Sequence, residues 1–471
     1  MIDDATPASE PAAESPGDVA PIIPDETIDR LQPGSDEFTK IVQKLEHYGA
    51  KFPPWFCDQP AENVLSGLKE AARSERVQEA HLREREAEAR RREEHKYDTL
   101  FSATEKGRVR LDYQAMADAL IDRYSPIAFQ REIWFYVDGL YRPEQGEILA
   151  FVAEVARAAG FEGSLTTAVR EVQAYVSAHE IATEYPFDGF PDALPLANGV
   201  LVIDWMTGRA TLRPYAPEYR FTGRWPVAYD PEAGLGPIHE EAFALYVDDD
   251  EVVALYQLPA QAILHYCGYG PFKRSYILEG PTNGGKTTYL VDFLNAIFGA
   301  ENISNVSLQR IGTDRFVAGD IENAAINRCD DLSDVPLENV GPFKALTGGF
   351  SHNIERKFKT PYRGRITAVH AFTTNMPPTV PDNILFDPAF WTRWIYLRFN
   401  NVFEVDPGFV PRTFTPENIS GAFNHILEIA FEIRHTGRLP YERDPGEVRE
   451  TWQSAANPFE KFVSAEMQAT Q

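Results

Sequence analysis

The chain has 471 residues, a formal net charge of −26 and three cysteines, and 43% of its residues are hydrophobic. This length accommodates about three domains, and the absence of any run of about 18 apolar residues excludes a transmembrane helix. The cysteines Cys57, Cys267 and Cys329 form no CxxC pair, which excludes a zinc knuckle and a disulfide framework. We therefore expect a cytoplasmic protein without a structural metal.

Residues 1–110 are the most polar part of the chain. Residues 1–35 are acidic and rich in Pro and Ala, and they lack the basic start and apolar run of a signal peptide. This composition predicts a disordered tail. The composition of residues 36–110 predicts a charged helical region. Within it, residues 64–96 predict one long solvated helix rather than a coiled coil, because no apolar heptad is sustained.

Residues 111–235 predict a domain that contains both helices and strands. Amphipathic helical patterns flank the stretch IAFQREIWFYVDGLYRPE, which alternates as a hairpin does, with Asp138 and Gly139 at its turn. Residues 186–230 predict further strands. The sequence pattern of residues 236–405 predicts an α/β ATPase domain. The pattern of residues 406–471 predicts a helical C-terminal segment.

The stretch ILEGPTNGGKTTYL, residues 277–290, contains the phosphate-loop pattern GxxxxGK[ST]. An apolar run precedes it as a strand would, and residues 287–299 have helical apolar spacing that ends at Gly299. In such loops backbone amides surround the phosphates, the lysine contacts the β- and γ-phosphates, and the hydroxyl residue contacts Mg²⁺. The residues predicted to bind ATP are Gly280, Pro281, Thr282, Asn283, Gly284, Gly285, Lys286, Thr287 and Thr288.

Two polar motifs follow at the ends of predicted strands. The stretch AAINRCDDLSD places Asp330 and Asp331 after a short strand. There Asp330 would bind Mg²⁺ and Asp331 would polarise water, although a surface pair of aspartates is the alternative interpretation. The stretch RITAVHAFTTNMPP ends a strand at Asn375. Its amide would orient water against the γ-phosphate, and an asparagine that opens a proline turn is the alternative.

Two arginine-rich motifs complete the predicted ATPase. In FDPAFWTRWIYLRF, Arg393 and Arg398 are either packing residues or fingers that reach the ATP of a neighbouring subunit. The stretch NIERKFKTPYRGR, residues 353–365, has five cations and one acid, with aromatic residues between them. It predicts a hairpin that presents cations to a nucleic-acid backbone, or an ordinary charged surface hairpin. The predicted DNA-binding residues are Arg356, Lys357 and Lys359.

In this order, the motifs GPTNGGKTT, NRCDDLSD, KALTGGFSHNIERKFKTP, FTTNMPP and FWTRW resemble those of the superfamily 3 helicases. The likeness is to the helicase half of phage, plasmid and poxvirus-type primase–helicases and covers roughly residues 110–465. It implies an AAA+-like P-loop core, a hexameric ring with ATP and Mg²⁺ between subunits, and single-stranded DNA in the pore. Catalytic roles are implied for Lys286, Asp330, Asp331, Asn375 and Arg393, and a DNA-gripping role for Lys357 and Lys359.

Three features depart from that family. Phe350 stands where an acid usually follows LTGG, and the strand before Asp330 is unusually polar. Residues 1–110 are too short and too charged for a primase domain, so we expect any priming to come from a partner.

We predict an ATP-dependent DNA helicase or translocase in viral, proviral or plasmid replication, acting on single-stranded or forked DNA, with a primase or polymerase as a possible partner. A P-loop motor or loader without unwinding activity, a non-catalytic origin-binding protein and an RNA substrate remain alternatives.

Overall fold

The computed structural model describes residues 23–53, 56–74, 77, 80–84, 96–104, 108–189, 192–357 and 360–457. The chain divides into two compact units. Unit 1 contains residues 1–112 and 153–163, and unit 2 contains residues 113–152 and 164–471. The regions predicted as a mixed domain, an ATPase domain and a helical segment therefore share one unit, except for residues 111–112 and 153–163. No helix in the described part of the chain combines the length and apolar character needed to span a membrane.

Unit 1 contains short helices and one antiparallel strand pair. Its elements are α1 (Asp25–Asp29), α2 (Asp36–His47), a 3₁₀ turn (Phe56–Asp58), α3 (Ala61–Arg73), β1 (Phe101–Ala103) and β2 (Val109–Leu111). Helix α2 begins at Ser35, whose side chain accepts a hydrogen bond from the amide of Phe38, as a helix N-cap does. The strand pair lies at the end of the region that the sequence predicted to be helical.

The predicted disordered tail is wrong for residues 23–35. Ile23, Ile28 and Leu31 are buried in one cluster with Val64 and Leu68 of α3. Burial of three large aliphatic side chains provides about 1.5–3 kcal/mol each toward ordering this segment. Its acidic residues also form ion pairs with α3, since Lys69 Nζ lies 2.6 Å from Asp29 Oδ1 and Arg73 contacts Asp25. Residues 1–22 lie outside the described residues.

The predicted single helix over residues 64–96 is also wrong. Helix α3 ends at Arg73, and Ser74 has the extended backbone angles φ −58° and ψ 127°. Serine is favoured at helix ends because its hydroxyl competes for nearby backbone groups. Residues 75–76, 78–79 and 85–95 lie outside the described residues. Of the rest of the predicted helix, the structure describes residue 77, residues 80–84 and residue 96.

Unit 2 begins with a four-stranded sheet, in which the strands lie in the order β5 (Leu140–Pro143), β4 (Glu132–Val137), β3 (Ile127–Phe129) and β6 (Ile181–Ala182). The predicted turn is confirmed, because Asp138 and Gly139 have φ values of +53° and +90°, as a two-residue hairpin turn requires. The elements here are α4 (Tyr113–Tyr124), β3 (Ile127–Phe129), β4 (Glu132–Val137), β5 (Leu140–Pro143), α5 (Glu147–Ala159, whose residues 153–159 belong to unit 1), α6 (Leu165–Ser177) and β6 (Ile181–Ala182). The further strands predicted within residues 186–230 are present and form a three-stranded antiparallel meander: β7 (Ala193–Leu196), β8 (Gly199–Asp204) and β9 (Arg209–Arg213).

A five-stranded parallel sheet forms the centre of unit 2, in which the strands lie in the order β11 (Ile303–Ser304), β12 (Ile326–Cys329), β15 (Val369–Thr374), β10 (Ser275–Glu279) and β16 (Trp394–Arg398). All six residues of β15 and four of β10 are buried, as in the interior of a sheet covered on both faces. An antiparallel hairpin, β13–β14, projects from the chain between β12 and β15. The strands are β10 (Ser275–Glu279), β11 (Ile303–Ser304), β12 (Ile326–Cys329), β13 (Ser351–Ile354), β14 (Tyr362–Arg365), β15 (Val369–Thr374) and β16 (Trp394–Arg398).

Helices surround this sheet. Helix α8 (Val252–Tyr266) is buried along almost its whole length and packs against α16 (Pro416–Thr436). The α-helices are α7 (Ala244–Tyr246), α8 (Val252–Tyr266), α9 (Leu294–Phe298), α10 (Leu308–Thr313), α11 (Val317–Ile321), α12 (Gly341–Leu346), α13 (Asp382–Leu385), α14 (Pro388–Trp391), α15 (Phe409–Thr413), α16 (Pro416–Thr436) and α17 (Pro445–Ala456). π-Helical segments are Ile238–Phe243 and Thr288–Phe293, and 3₁₀ turns are Pro217–Tyr219 and Ala300–Asn302.

The fold is thus mixed α/β with a parallel sheet, which agrees with the predicted α/β class. Parallel strands place their carboxyl ends at one edge, and the loops at that edge are the usual ligand sites of open α/β sheets. The loops after β10, β12 and β15 therefore converge, and these are the loops that carry the predicted phosphate-binding, acidic and amide residues.

Candidate functional site

The loop after β10, residues 280–287, is packed so closely that two of its glycines cannot be replaced without movement. A Cβ built on Gly280 would lie 2.2 Å from the carbonyl oxygen of Phe399, and one built on Gly285 would lie 2.4 Å from Tyr246 Cε1. Gly285 also has a φ of +90°, and Asn283 has a φ of +62°. Both values are strained for residues with ordinary side chains. The sequence pattern thus coincides with a loop whose backbone requires glycine.

Lys286 lies at the centre of the converging loops. Its Nζ donates to the carbonyl oxygens of Gly280 at 2.6 Å and Pro281 at 2.7 Å, and to Asn375 Oδ1 at 3.0 Å. Burial lowers the pKa of Lys286, while the charges of Glu279, Asp330 and Asp331 oppose that shift. The structure therefore brings Lys286 and Asn375 into direct contact, with the acids close enough to act on the ammonium charge.

Asp330 is fixed by two threonine hydroxyls. Thr373 Oγ1 donates to Asp330 Oδ1 at 2.6 Å, and Thr287 Oγ1 lies 3.1 Å from Asp330 Oδ2. The amide of Asp331 donates to Thr373 Oγ1 at 2.8 Å. Two of the residues predicted to bind a metal, Thr287 and Asp330, are thus adjacent. Sequence reasoning missed Thr373, whose only signal was its place two residues before the predicted Asn375.

The polar residues of β12 have packing partners. Arg328 Nη1 donates to the carbonyl oxygen of Leu290 at 2.8 Å and approaches that of Val291 at 3.3 Å. Both carbonyls belong to the π-helical segment Thr288–Phe293, which follows the loop. Asn327 accepts from Ser304 Oγ at 2.9 Å. The polar side chains of β12, which depart from the family pattern, therefore form hydrogen bonds to β11 and to the π-helical segment after the loop.

A cavity of about 400 Å³ opens beside the loop. Five aromatic or aliphatic side chains and three carboxylates contribute to its lining. No motif predicted it, because its walls come from segments that are distant in sequence. The lining residues are Glu241, Tyr246, Asn283, Gly285, Thr288, Phe403, Glu404, Val405, Asp406, Phe409 and Val410.

Arg393 is not brought to this site within one chain. Its carbonyl oxygen accepts from the amide of Ser275, the first residue of β10, whereas the loop follows the last. The intervening strand separates the two ends by about 13 Å. The Arg393 guanidinium instead contacts Thr347 Oγ1 at 2.8 Å and the carbonyl oxygens of Lys344 and Ala389.

The other candidate arginine, Arg398, ends β16 on the loop side of the sheet. Its Nε lies 3.7 Å from Glu279 Oε2, at the end of β10. Burial raises the pKa of Glu279, and the charges of Arg398 and Lys286 oppose that shift. The family resemblance assigned the catalytic role to Arg393, but of the two arginines in this motif Arg398 is the one near the loop of its own chain.

The basic segment forms the predicted hairpin, β13–β14, but its cations are not equivalent. Arg356 forms an ion pair with Glu322 at 2.7 Å. The Nζ of Lys357 lies over the Phe316 ring, 5.9 Å from its centre. Lys359 lies outside the described residues. Phe350 replaces the usual acid. The guanidinium carbon of Arg365 lies over the Phe350 ring, 5.7 Å from the centre of that ring.

Comparisons with known proteins match two parts of the chain. Residues 117–248 match a family model described as D5 N terminal like, and residues 278–388 match a family of unknown function, DUF5906. No curated protein matches the chain. The A-form apo structure of the NrS-1 C-terminal region has a TM-score of 0.44 and 13% identity, over 73% of this chain and 74% of that chain.

A second apo structure of the NrS-1 C-terminal region has a TM-score of 0.43 and 14% identity, over 74% of this chain and 75% of that chain. The D5 N-terminal-like match supports a relationship between this chain and the phage-type primase–helicases.

Proposed function

We propose that unit 2 binds and hydrolyses ATP with Mg²⁺ and uses the energy to move or unwind DNA in phage, viral or plasmid replication. The observation that carries this proposal is the meeting of Lys286 with Asn375, and of Thr287 with Asp330, at one edge of a parallel sheet. This arrangement combines a cation, an amide, a hydroxyl and a carboxylate, the groups that phosphoryl transfer uses.

The residues present fit a magnesium nucleotide. Glycine at 280 and 285 lets the backbone pass where any Cβ would collide, so its amides can approach phosphate oxygens closely. Thr287 and Asp330 supply the hard oxygen ligands that Mg²⁺ prefers. When bound, Mg²⁺ neutralises charge on the β- and γ-phosphates.

Each side chain at the edge has a separate task in this proposal. Lys286 exchanges its carbonyl partners for phosphate oxygens and keeps its position through Asn375. Asp331 accepts a proton from the attacking water, and Asn375 orients that water. The cavity lined by Tyr246, Phe403 and Phe409 is apolar enough to take the nucleobase.

Arg393 acts in trans in this proposal. Because it lies at the opposite end of the sheet from Lys286, it can complete a site only in a neighbouring subunit. A finger of this kind provides about 10³–10⁵ in rate. Hydrolysis per subunit should therefore rise with protein concentration as a homo-oligomer, which we propose is a hexameric ring, assembles.

The hairpin β13–β14 is the proposed DNA contact. Lys357 and Lys359 supply phosphate contacts, and the D5 N-terminal-like match supports a replication role. Phosphate contacts release counterions, so binding should weaken steeply with salt. This local basic hairpin offsets the overall charge of −26, because local patches rather than net charge decide binding.

Unwinding of a forked duplex with ATP tests the proposal against its alternatives. We expect strand separation by the wild-type chain and none by Lys286→Ala. ATP hydrolysis without strand separation would indicate a motor or loader instead. ATP binding without turnover would indicate an assembly protein, and a preference for RNA forks would replace the DNA substrate.

A further inference from the structure

Glu322 connects the hairpin to the sheet. It follows α11 and precedes β12, the strand that ends at Asp330. Its side chain is fully buried, with 0% exposure, and its Oε2 accepts from Arg356 Nη2 at 2.7 Å and from the Tyr362 hydroxyl. Both donors belong to the hairpin segment, residues 351–365. One buried carboxylate therefore holds the hairpin from two points.

Two glycines make room for this contact. A Cβ built on Gly364 would lie 2.5 Å from Glu322 Oε1, and one built on Gly319 would lie 2.9 Å from Arg356 Cγ. The carbonyl oxygen of Gly319 also accepts from Arg356 Nη2 at 3.2 Å. The backbone on both sides of the ion pair thus approaches it more closely than any larger residue would allow.

The hydroxyl of Tyr362 contacts Glu322, and its ring packs on the N-terminal part of unit 2. Its ring lies 5.5 Å from that of Phe129, edge to face, and 6.3 Å from that of Tyr185. Asn323, the residue after Glu322, donates to the Tyr185 hydroxyl at 2.8 Å. Glu322 therefore lies where the hairpin, the strand to Asp330 and the N-terminal part of unit 2 meet.

We propose that Glu322 and Arg356 form an anchor that fixes the hairpin relative to β12, so that Arg356 is a positioning residue rather than a phosphate ligand. Arg356 Nη2 is held by Glu322 and by the Gly319 carbonyl oxygen, and a phosphate that drew this nitrogen away would leave a fully buried carboxylate without its cation, which is a costly exchange. Lys357, the next residue, is exposed and is the proposed phosphate contact. The DNA half of this inference rests on the proposed function, and the anchor itself does not.

Hydrogen exchange of the full chain, without DNA or nucleotide, tests the anchor alone. In Glu322→Gln, amides of residues 351–365 should exchange about tenfold faster, because a local opening becomes cheaper. The matched control is Asp320→Asn, which removes a partly exposed acid paired with Arg310 and should leave the hairpin unchanged. Arg356→Lys should keep more protection than Arg356→Gln. Equal exchange in Glu322→Gln and wild type would overturn the anchor.

The salt dependence of single-stranded DNA binding separates an anchor from a phosphate ligand. Each lost phosphate contact lowers the slope of log K against log salt by about 0.7 for single strands. We expect that loss in Lys357→Gln, whereas Arg356→Gln should weaken binding by a similar factor at every salt concentration. A slope loss of about 0.7 in Arg356→Gln would overturn the positioning role. Absence of DNA binding by the wild type would refute the proposed function, and hydrogen exchange would still decide the anchor.

Discussion

Substitution of Gly285 by alanine tests the geometry of the loop directly. The new Cβ would lie 2.4 Å from Tyr246 Cε1, and the residue would have to keep a φ of +90°. Tyr246 cannot easily withdraw, because it is only 3% exposed and its ring lies 5.6 Å from that of Phe399 and 5.7 Å from that of Phe403. Either the loop or the tyrosine must therefore move.

The cost has two separable parts. An alanine held at positive φ costs about 1–2 kcal/mol, and overpacking a well-packed site costs about 1–3 kcal/mol. Together these predict a loss of about 2–5 kcal/mol in the free energy of unfolding. At about 2 °C per kcal/mol for a large domain, the melting temperature should fall by about 4–10 °C.

Differential scanning fluorimetry and urea denaturation measure this loss. The control is Gly349→Ala, because a Cβ at Gly349 meets nothing within 4 Å and its φ is not positive; its melting temperature should stay close to wild type. Adding Tyr246→Ala should recover the overpacking part of the loss in a double-mutant cycle. An unchanged melting temperature in Gly285→Ala would refute the close packing of loop against Tyr246.

Three further predictions follow from the site and the core. Lys286→Ala should abolish the thermal stabilisation by Mg·ATP, which at 100-fold excess over Kd is about 2.7 kcal/mol, whereas Lys273→Ala, an exposed lysine, should retain it in the same thermal-shift titration. Thr287→Ala should raise the Mg²⁺ concentration for half-maximal hydrolysis about tenfold through loss of one oxygen ligand, and Thr287→Ser should not; equal Mg²⁺ dependence would contradict its role. Burial lowers the pKa of His265 from 6.5 to about 4, so the unfolded chain binds a proton that the folded chain does not, and stability should fall as pH drops through that window. His265→Asn should reduce that slope by up to about 1.4 kcal/mol per pH unit in urea titrations, and an unchanged slope would exclude His265 as its source.

The features that the sequence predicted well are local ones. A glycine loop between an apolar strand and a helix is written in consecutive residues, so Lys286 and Thr287 could be located without a structure. The Asp138–Gly139 turn is equally local, since both residues must adopt positive φ. Asp330 and Asn375 could be placed near Lys286 because parallel strands end at one edge.

The features that the sequence did not predict depend on contacts between distant segments. Glu322 is an ordinary acid until the fold brings Arg356 against it. The cavity beside the loop joins residues near 241, 283 and 405, and no single stretch signals it. The prediction of a disordered tail failed because it rested on the average composition of residues 1–35. Individual aliphatic residues decide the outcome, since Ile28 is fully buried in a cluster with residues of α3.

ATP hydrolysis with and without single-stranded DNA, measured across a salt series, tests the central claim most directly. The account predicts hydrolysis that single-stranded DNA stimulates, that loses this stimulation as salt rises, and that disappears in Lys286→Ala. Hydrolysis that ignores DNA at every salt concentration, or that survives in Lys286→Ala, would contradict a DNA-coupled ATPase at this site.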